Sequence, residues 1–130
     1  VYSVLGDGEC QEGQVWEAMM FAAHYKLDNL CFFIDNNGLQ IDGKITDVMS
    51  PLPFEEKLLA FGMHLIQIDG HDYGQIKAAL AEAKTVKGKP TAILAKTVKG
   101  KGVSFMEDIA SWHGAAPSEE QYNQAIGEVR

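Results

Sequence analysis

The stretch from Gly6 to Asn37 constrains the fold more than any other part of the chain. An apolar run, Val1 to Leu5, leads directly into Gly6-Asp7-Gly8-Glu9-Cys10-Gln11-Glu12-Gly13. A second apolar run, Leu30 to Ile34, leads directly into Asp35-Asn36-Asn37. Between them Val15, Ala18, Met19, Ala22 and Ala23 recur at i, i+3, i+4, i+7 and i+8, the spacing of one helix face. Strand, helix and strand over about thirty-five residues make a βαβ unit, with parallel strands and a right-handed crossover.

That geometry has a chemical consequence. Adjacent parallel strands end on the same edge of a sheet, ~4.8 Å apart, so Asp7 and Asn37 are predicted to be neighbours. Ligands of open α/β sheets bind in the crevice at that edge. A carboxylate and a carboxamide oxygen are hard donors suited to Mg²⁺ or Ca²⁺. Gly6 and Gly8 leave the backbone beside Asp7 uncovered, open to a phosphate, and a helix beginning near Gly13 directs its positive end toward the same place. Alone, Asp7 between two glycines would be an ordinary turn aspartate. Paired with Asn37, it describes a site for a metal-bridged diphosphate, with Asn36 as a loop residue able to support its neighbour.

The rest of the chain repeats the alternation. Gly38 to Pro53 reads as a long loop, broken by Asn37-Gly38, Asp42-Gly43, Ser50-Pro51 and Pro53; loops of this length are usually functional or mobile. Phe54 to Phe61 reads as a short helix with Phe54, Leu58 and Phe61 on one side. His64 to Ile68 is a third strand, Tyr73 to Lys87 a helix with Ile76, Ala79, Leu80 and Ala83 in register, and Thr91 to Ala95 a fourth strand. Lys96 to Pro117 is a loop bearing Gly and Lys, and Ser118-Glu119-Glu120-Gln121 has the form of a capping box opening a last helix. The expected fold is α/β: a doubly wound, mostly parallel sheet with helices on both faces.

Composition excludes several classes. A net charge of −7, with no basic face to offset it, argues against nucleic-acid binding. No apolar run approaches the ~20 residues of a spanning helix, and no signal peptide is visible. Two cysteines, Cys10 and Cys31, make no disulfide framework. These features predict a cytoplasmic protein. With 130 residues, residues 1–130 form a single domain at most. Because the chain opens inside a strand that needs neighbours on both sides, it is expected to be a piece of a larger polypeptide.

Other residues draw attention on their own chemistry. His113, in Trp112-His113-Gly114, lies in a loop and not on an apolar helix face, a setting suited to ligand contact. Glu12 either serves a ligand or stabilises a helix N-terminus. Lys96, Lys99 and Lys101 flank Gly100 and Gly102 without forming a Walker A loop. They read as a solvated loop, with a lid at the site mouth as the alternative. His24, His64 and His71 look structural or exposed. Trp16, Met19, Met20 and Phe21 place apolar bulk around the first helix, which predicts burial on more than one side.

Gly6-Asp7-Gly8 followed by Asn36-Asn37 resembles the thiamine diphosphate motif. The extended forms Gly6 to Gly13 and Asp35-Asn36-Asn37-Gly38-Leu39-Gln40-Ile41-Asp42-Gly43 resemble transketolase, as do Lys96 to Gly102 and Ser111 to Ala115. The match is closest to the N-terminal subunit of the split, two-subunit form. The resemblance covers essentially the whole chain. It implies thiamine diphosphate with Mg²⁺ (Ca²⁺ or Mn²⁺ as substitutes), the metal held by Asp7, Asn37 and the Leu39 carbonyl. It also implies cofactor contacts from Gly6, Asp7, Gly8, Glu12, Asn37, Ile41 and His113, with Ile41 as an apolar wall for the thiazolium ring. His113 and Glu12 become candidate catalytic residues, Glu12 near the cofactor and the dimer interface.

The implied reaction is reversible transfer of a two-carbon ketol unit between sugar phosphates. The chain resembles the later part of the diphosphate-binding domain. It is expected to be inactive without a pyrimidine-binding domain, carried on the same chain or on a partner, in a homodimer or heterotetramer. The alternatives are other thiamine diphosphate enzymes (deoxyxylulose-phosphate synthase, a dehydrogenase E1 subunit), or a non-catalytic partner subunit.

Overall fold

The computed structural model describes residues 1–129. Its main sheet has four parallel strands: β1 (Tyr2–Gly6), β2 (Cys31–Asn36), β5 (His64–Asp69) and β6 (Thr91–Lys96), in the order β1-β2-β6-β5. Helix α1 (Gly13–His24) makes the β1–β2 crossover. Helices α3 (Phe54–Ala60) and α4 (Tyr73–Ala83) precede β5 and β6 respectively, and α5 (Glu119–Glu128) closes the chain. A separate antiparallel ribbon, β3 (Leu39–Gln40) with β4 (Gly43–Lys44), runs into a single helical turn, α2 (Ile45–Val48). The expected doubly wound α/β architecture is what the chain adopts.

The pleat sorts the core into two layers. Phe32, Ile34, Ala92 and Leu94 face Val15 and Met19 of α1 and Phe54 and Leu58 of α3. On the opposite side Cys31, Ile93, Ala95 and Ile68 meet Ala79 and Ala83 of α4. Each fully buried Ile or Leu contributes about 1.5–3 kcal/mol by leaving water. Ile34 and Ile93 sit back to back through the sheet, both at 0% exposure. Strand β6 lies between β2 and β5 and is buried from Thr91 through Ala95, which explains its unbroken apolar run.

Several expectations need refinement. Strand β1 is at the edge of this sheet, and its Tyr2 and Val4 are exposed on one face. Helix α1 buries Val15, Met19 and Ala22, while Met20 and Phe21 are more than half exposed, so its apolar bulk is not enclosed on several sides. Helix α4 stops at Ala83, short of Lys87. There Thr85 turns its hydroxyl back onto the Glu82 carbonyl (2.7 Å), a local bond that competes with further helix. The capping box is present: Ser118 Oγ accepts from the Gln121 N–H (3.3 Å), and the Ser118 N–H donates to Gln121 Oε1 (2.8 Å). Among the described residues no helix is long and apolar enough to cross a membrane.

Candidate functional site

Parallel pairing aligns the strand ends. Gly6 lies opposite Asp35, and Asn36 opposite Lys96, so the residues that follow each strand converge on one edge. There a cavity of about 550 Å³ is lined by Gly6, Asp7, Gly8, Glu9, Asp35 and Asn37 from β1 and β2 and the turns after them. Leu39, Gln40, Ile41 and Asp42 of the β3–β4 hairpin close one side, and Lys99 and His113 come from the loop after β6. Of the residues expected here, Gly6, Asp7, Gly8, Asn37, Leu39, Ile41 and His113 are brought together.

Asp7 is almost completely buried, at 1% exposure. Its Oδ1 accepts the Gly8 N–H (2.8 Å) and its Oδ2 the Gly38 N–H (2.5 Å). Burial raises its carboxyl above the usual carboxylate range. The Gly38 and Gly8 N–H groups pull the other way, nearby Asp35 adds to the rise and Lys96 opposes it. Among the described residues no cationic side chain forms an ion pair with it. A buried carboxylate left with only neutral donors is suited to a hard cation, whose charge would favour the ionised form.

Asn37 is oriented by its neighbour. Its Nδ2 donates to Asp35 Oδ2 (3.1 Å), leaving Oδ1 on the side of Leu39, whose N–H it accepts (2.9 Å). That oxygen keeps a second lone pair for a ligand. Asp35 Oδ1 in turn accepts from the Thr97 hydroxyl, tying the β2 end to the loop after β6. Among the described residues no group of three or more His, Cys, Asp and Glu side chains is placed to hold a metal ion by itself. The carboxylate of Asp7 and the carboxamide oxygen of Asn37 are hard donors, better suited to Mg²⁺ or Ca²⁺ than to a soft metal.

The N–H groups of both glycines, Gly6 and Gly8, are bonded within the turn. The Gly8 N–H is engaged by Asp7, and the Gly6 N–H donates to Glu9 Oε2 (3.0 Å). Gly8 matters for its missing side chain, since a Cβ there would lie 2.8 Å from the Cβ of Gln40. The hairpin therefore packs directly onto the Gly8 backbone. Glu12 is the exposed N-cap residue of α1, makes no side-chain cap bond and lies outside the lining of this cavity. The short 3-10 turn Glu9–Gln11 separates the cavity from α1, so Glu9 faces it and the first turn of α1 does not.

His113 ends a 3-10 turn, Ala110–His113, that packs against the β3–β4 hairpin. Trp112 anchors that turn through its indole N–H to the Phe105 carbonyl (2.9 Å) and by ring contact with Phe105, leaving His113 exposed toward the cavity. The loop after β6 is held by a bond to His71 and by bonds within itself. Val98 N–H donates to His71 Nε2 (2.8 Å), Gly102 N–H to Glu107 Oε1 (2.9 Å) and Asp108 N–H to the Lys99 carbonyl (3.0 Å). It places Lys99 in the lining of the cavity.

Sequence reasoning did not select Glu9, Asp35, Gln40 or Asp42. Asp35 was findable, because it lies two residues before Asn37 at the end of the same strand. Gln40 carries no such signal.

The chain matches the family model described as transketolase, thiamine diphosphate binding domain, over residues 1–127. It is 44% identical over 129 residues to the 6-deoxy-6-sulfo-D-fructose transketolase subunit SqwG of a Clostridium species, covering 99% of this chain and 47% of that protein. To an apulose-4-phosphate transketolase subunit of Phocaeicola vulgatus it is 41% identical over 128 residues, covering 98% and 46%. Human transketolase is 44% identical over 130 residues, of which the match spans 20%. The chain thus spans about half the length of the two subunit relatives and a fifth of the longer one. Transketolase from Campylobacter jejuni superposes with a TM-score of 0.90 at 36% identity, covering 97% of this chain and 20% of that one. The chain belongs to the transketolase family, within its thiamine diphosphate-binding domain.

Proposed function

We propose that this chain supplies the metal and diphosphate side of a thiamine diphosphate-dependent ketol transferase of split, two-subunit type, as the later part of its diphosphate-binding domain. The observation that carries the proposal is the convergence of Asp7, Asn37, Leu39, Ile41 and His113 around one cavity at the strand ends. In this reading Asp7, the Asn37 amide oxygen and the Leu39 carbonyl hold a divalent cation, Mg²⁺ in the first instance. When bound, the cofactor supplies the electron sink that carbon–carbon cleavage of a ketose requires.

This chain's residues anchor and orient. Lys99 offers an ammonium to the anionic end of cofactor or sugar. Ile41, at the hairpin tip, covers the ring with an apolar surface. His113, exposed at the cavity, is placed to hydrogen-bond a sugar hydroxyl or move a proton from it. Glu12 acts, in this proposal, across the contact with a partner that bears the pyrimidine-binding domain, in a homodimer or heterotetramer. The free, buried thiols of Cys10 and Cys31 suit a cytosolic protein. The substrates are anionic ketoses and aldoses. Two relatives are named for different sugars, a sulfo-fructose and apulose-4-phosphate, so phosphate and sulfonate are both in range.

The test is calorimetric titration of thiamine diphosphate with Mg²⁺ into the full protein assembled with its partner subunit, beside an Asp7→Ala version. Metal-dependent binding that the substitution abolishes supports the reading, and ketol transfer is then assayed with phosphorylated and sulfonated ketoses. A folded complex that binds no cofactor points to a non-catalytic subunit. Binding without ketol transfer points to another thiamine diphosphate reaction.

A further inference from the structure

The β3–β4 hairpin and α2 form a flap whose tip, Ile41 and Asp42, borders the cavity and is exposed to solvent. The flap leaves the sheet at Gly38, which has φ +81, and is pinned to the body by the buried side chain of Ile45 and by the Gly38 N–H on Asp7. A third attachment comes from outside the cavity lining. The single carboxamide nitrogen of Gln11 donates to Gln40 Oε1, in the first strand of the flap, and to the Met49 carbonyl (2.6 Å), at its far end. One amide thereby spans both ends of the flap.

Gln11 is well placed for this. It closes the Glu9–Gln11 turn, which is fixed by the Gln11 N–H to the Gly8 carbonyl (3.1 Å) and by Cys10, wholly buried in the core. The turn is therefore part of the rigid body, and the Gln11 side chain is a strut from that body to the flap. We propose that Gln11 is a positioning residue: it sets the height of the flap over the cavity and so places the Leu39 carbonyl and the Ile41 side chain. Placement of the flap is independent of any ligand. Its consequence for cofactor affinity rests on the function proposed above.

The test compares wild type with the Gln11→Met variant, which keeps the side-chain length and removes both donors, each as the full protein with its partner subunit. Amide hydrogen exchange of residues 39–49 without cofactor is expected to accelerate about tenfold, as for two lost hydrogen bonds, with β6 and α3 unchanged. KM for thiamine diphosphate is expected to rise by a similar factor while kcat stays near wild type, since the interaction is uniform binding. Gln40→Leu, which removes one acceptor, should fall between. Unchanged exchange at 39–49, or acceleration spread evenly over the whole chain, overturns the proposal. Local acceleration in a protein whose wild type binds no thiamine diphosphate upholds the strut and defeats the cofactor reading instead.

Discussion

Asp7 Oδ2 accepts the backbone N–H of Gly38 at 2.5 Å, across thirty-one residues of sequence. The carboxylate at the end of β1 thus fixes the point where the flap leaves β2, and a bound cation would be read by both. The energetic sign follows from burial. The folded-state pKa of Asp7 is raised, so without metal its ionised form weakens the fold. That penalty is fully present above the folded pKa and is relieved as pH falls through it toward the unfolded value. A divalent cation reverses the preference. Mg²⁺ should raise the wild-type Tm when Asp7 is ionised, progressively less as pH falls through the raised folded pKa, and not at all in Asp7→Asn. Thermal unfolding with Mg²⁺ and with chelator, across a pH series from neutral into the acid range, measures this.

Gly8 and Gln40 are in direct packing contact, and a Cβ at Gly8 would meet the Gln40 Cβ at 2.8 Å. Gly8→Ala should therefore displace the flap and cost about 1–3 kcal/mol of stability, as overpacking does. Chemical denaturation checks the stability, and cofactor titration checks the displacement. Adding Gln40→Gly, which removes the opposing Cβ, should recover part of the loss.

Lys99 carries the one ammonium among the described residues that line the cavity. Lys99→Met should weaken binding of the anionic ligand about tenfold, in keeping with loss of one charge-assisted hydrogen bond. Affinity should also become less dependent on ionic strength. Titrations at low and high salt separate this from a general loss of structure.

Thr91 begins the central strand at 1% exposure, and its hydroxyl has no hydrogen-bond partner. An unpaired buried hydroxyl costs more than a methyl of the same shape. Thr91→Val should stabilise the protein by about 1–2 kcal/mol, read as a higher urea midpoint with an unchanged slope, and leave cofactor binding as it was.

The legible parts of the fold are those with a long period or a strong stop. Four strands and four longer helices follow from apolar runs ended by Gly6, Asp35, Asp69-Gly70 and Lys96, and the Ser118 cap from its side-chain chemistry. Strand order is not legible, because nothing local to Thr91–Ala95 says that it enters between β2 and β5. The flap reads as loop in the sequence, since strands of two residues are too short to show alternation. In the site, Asp7 and Asn37 are legible from position alone, as residues following adjacent strands. Leu39 and Ile41 come through resemblance, since a backbone carbonyl and a loop apolar residue carry no spacing signal, whereas His113 is marked by its loop setting and gains a role through resemblance. Gln11 lies inside the most conspicuous motif of the chain, yet its partners, Gln40 and Met49, are defined only once the flap is folded.

The order β1-β2-β6-β5 also bears on how the chain is made. The strand translated last among the four is the one β5 requires, because β5 touches the sheet only through β6. During synthesis β1 and β2 can join as soon as they leave the ribosome, whereas β5 has no edge to dock on until Thr91 to Lys96 has emerged. Until then Ile68 lacks Ile93 and Ala95 of β6 beside it, a window in which nascent chains are open to aggregation and to chaperone capture. The strand that comes last among the four therefore decides when β5 joins the sheet edge at which Asp7 and Asn37 lie.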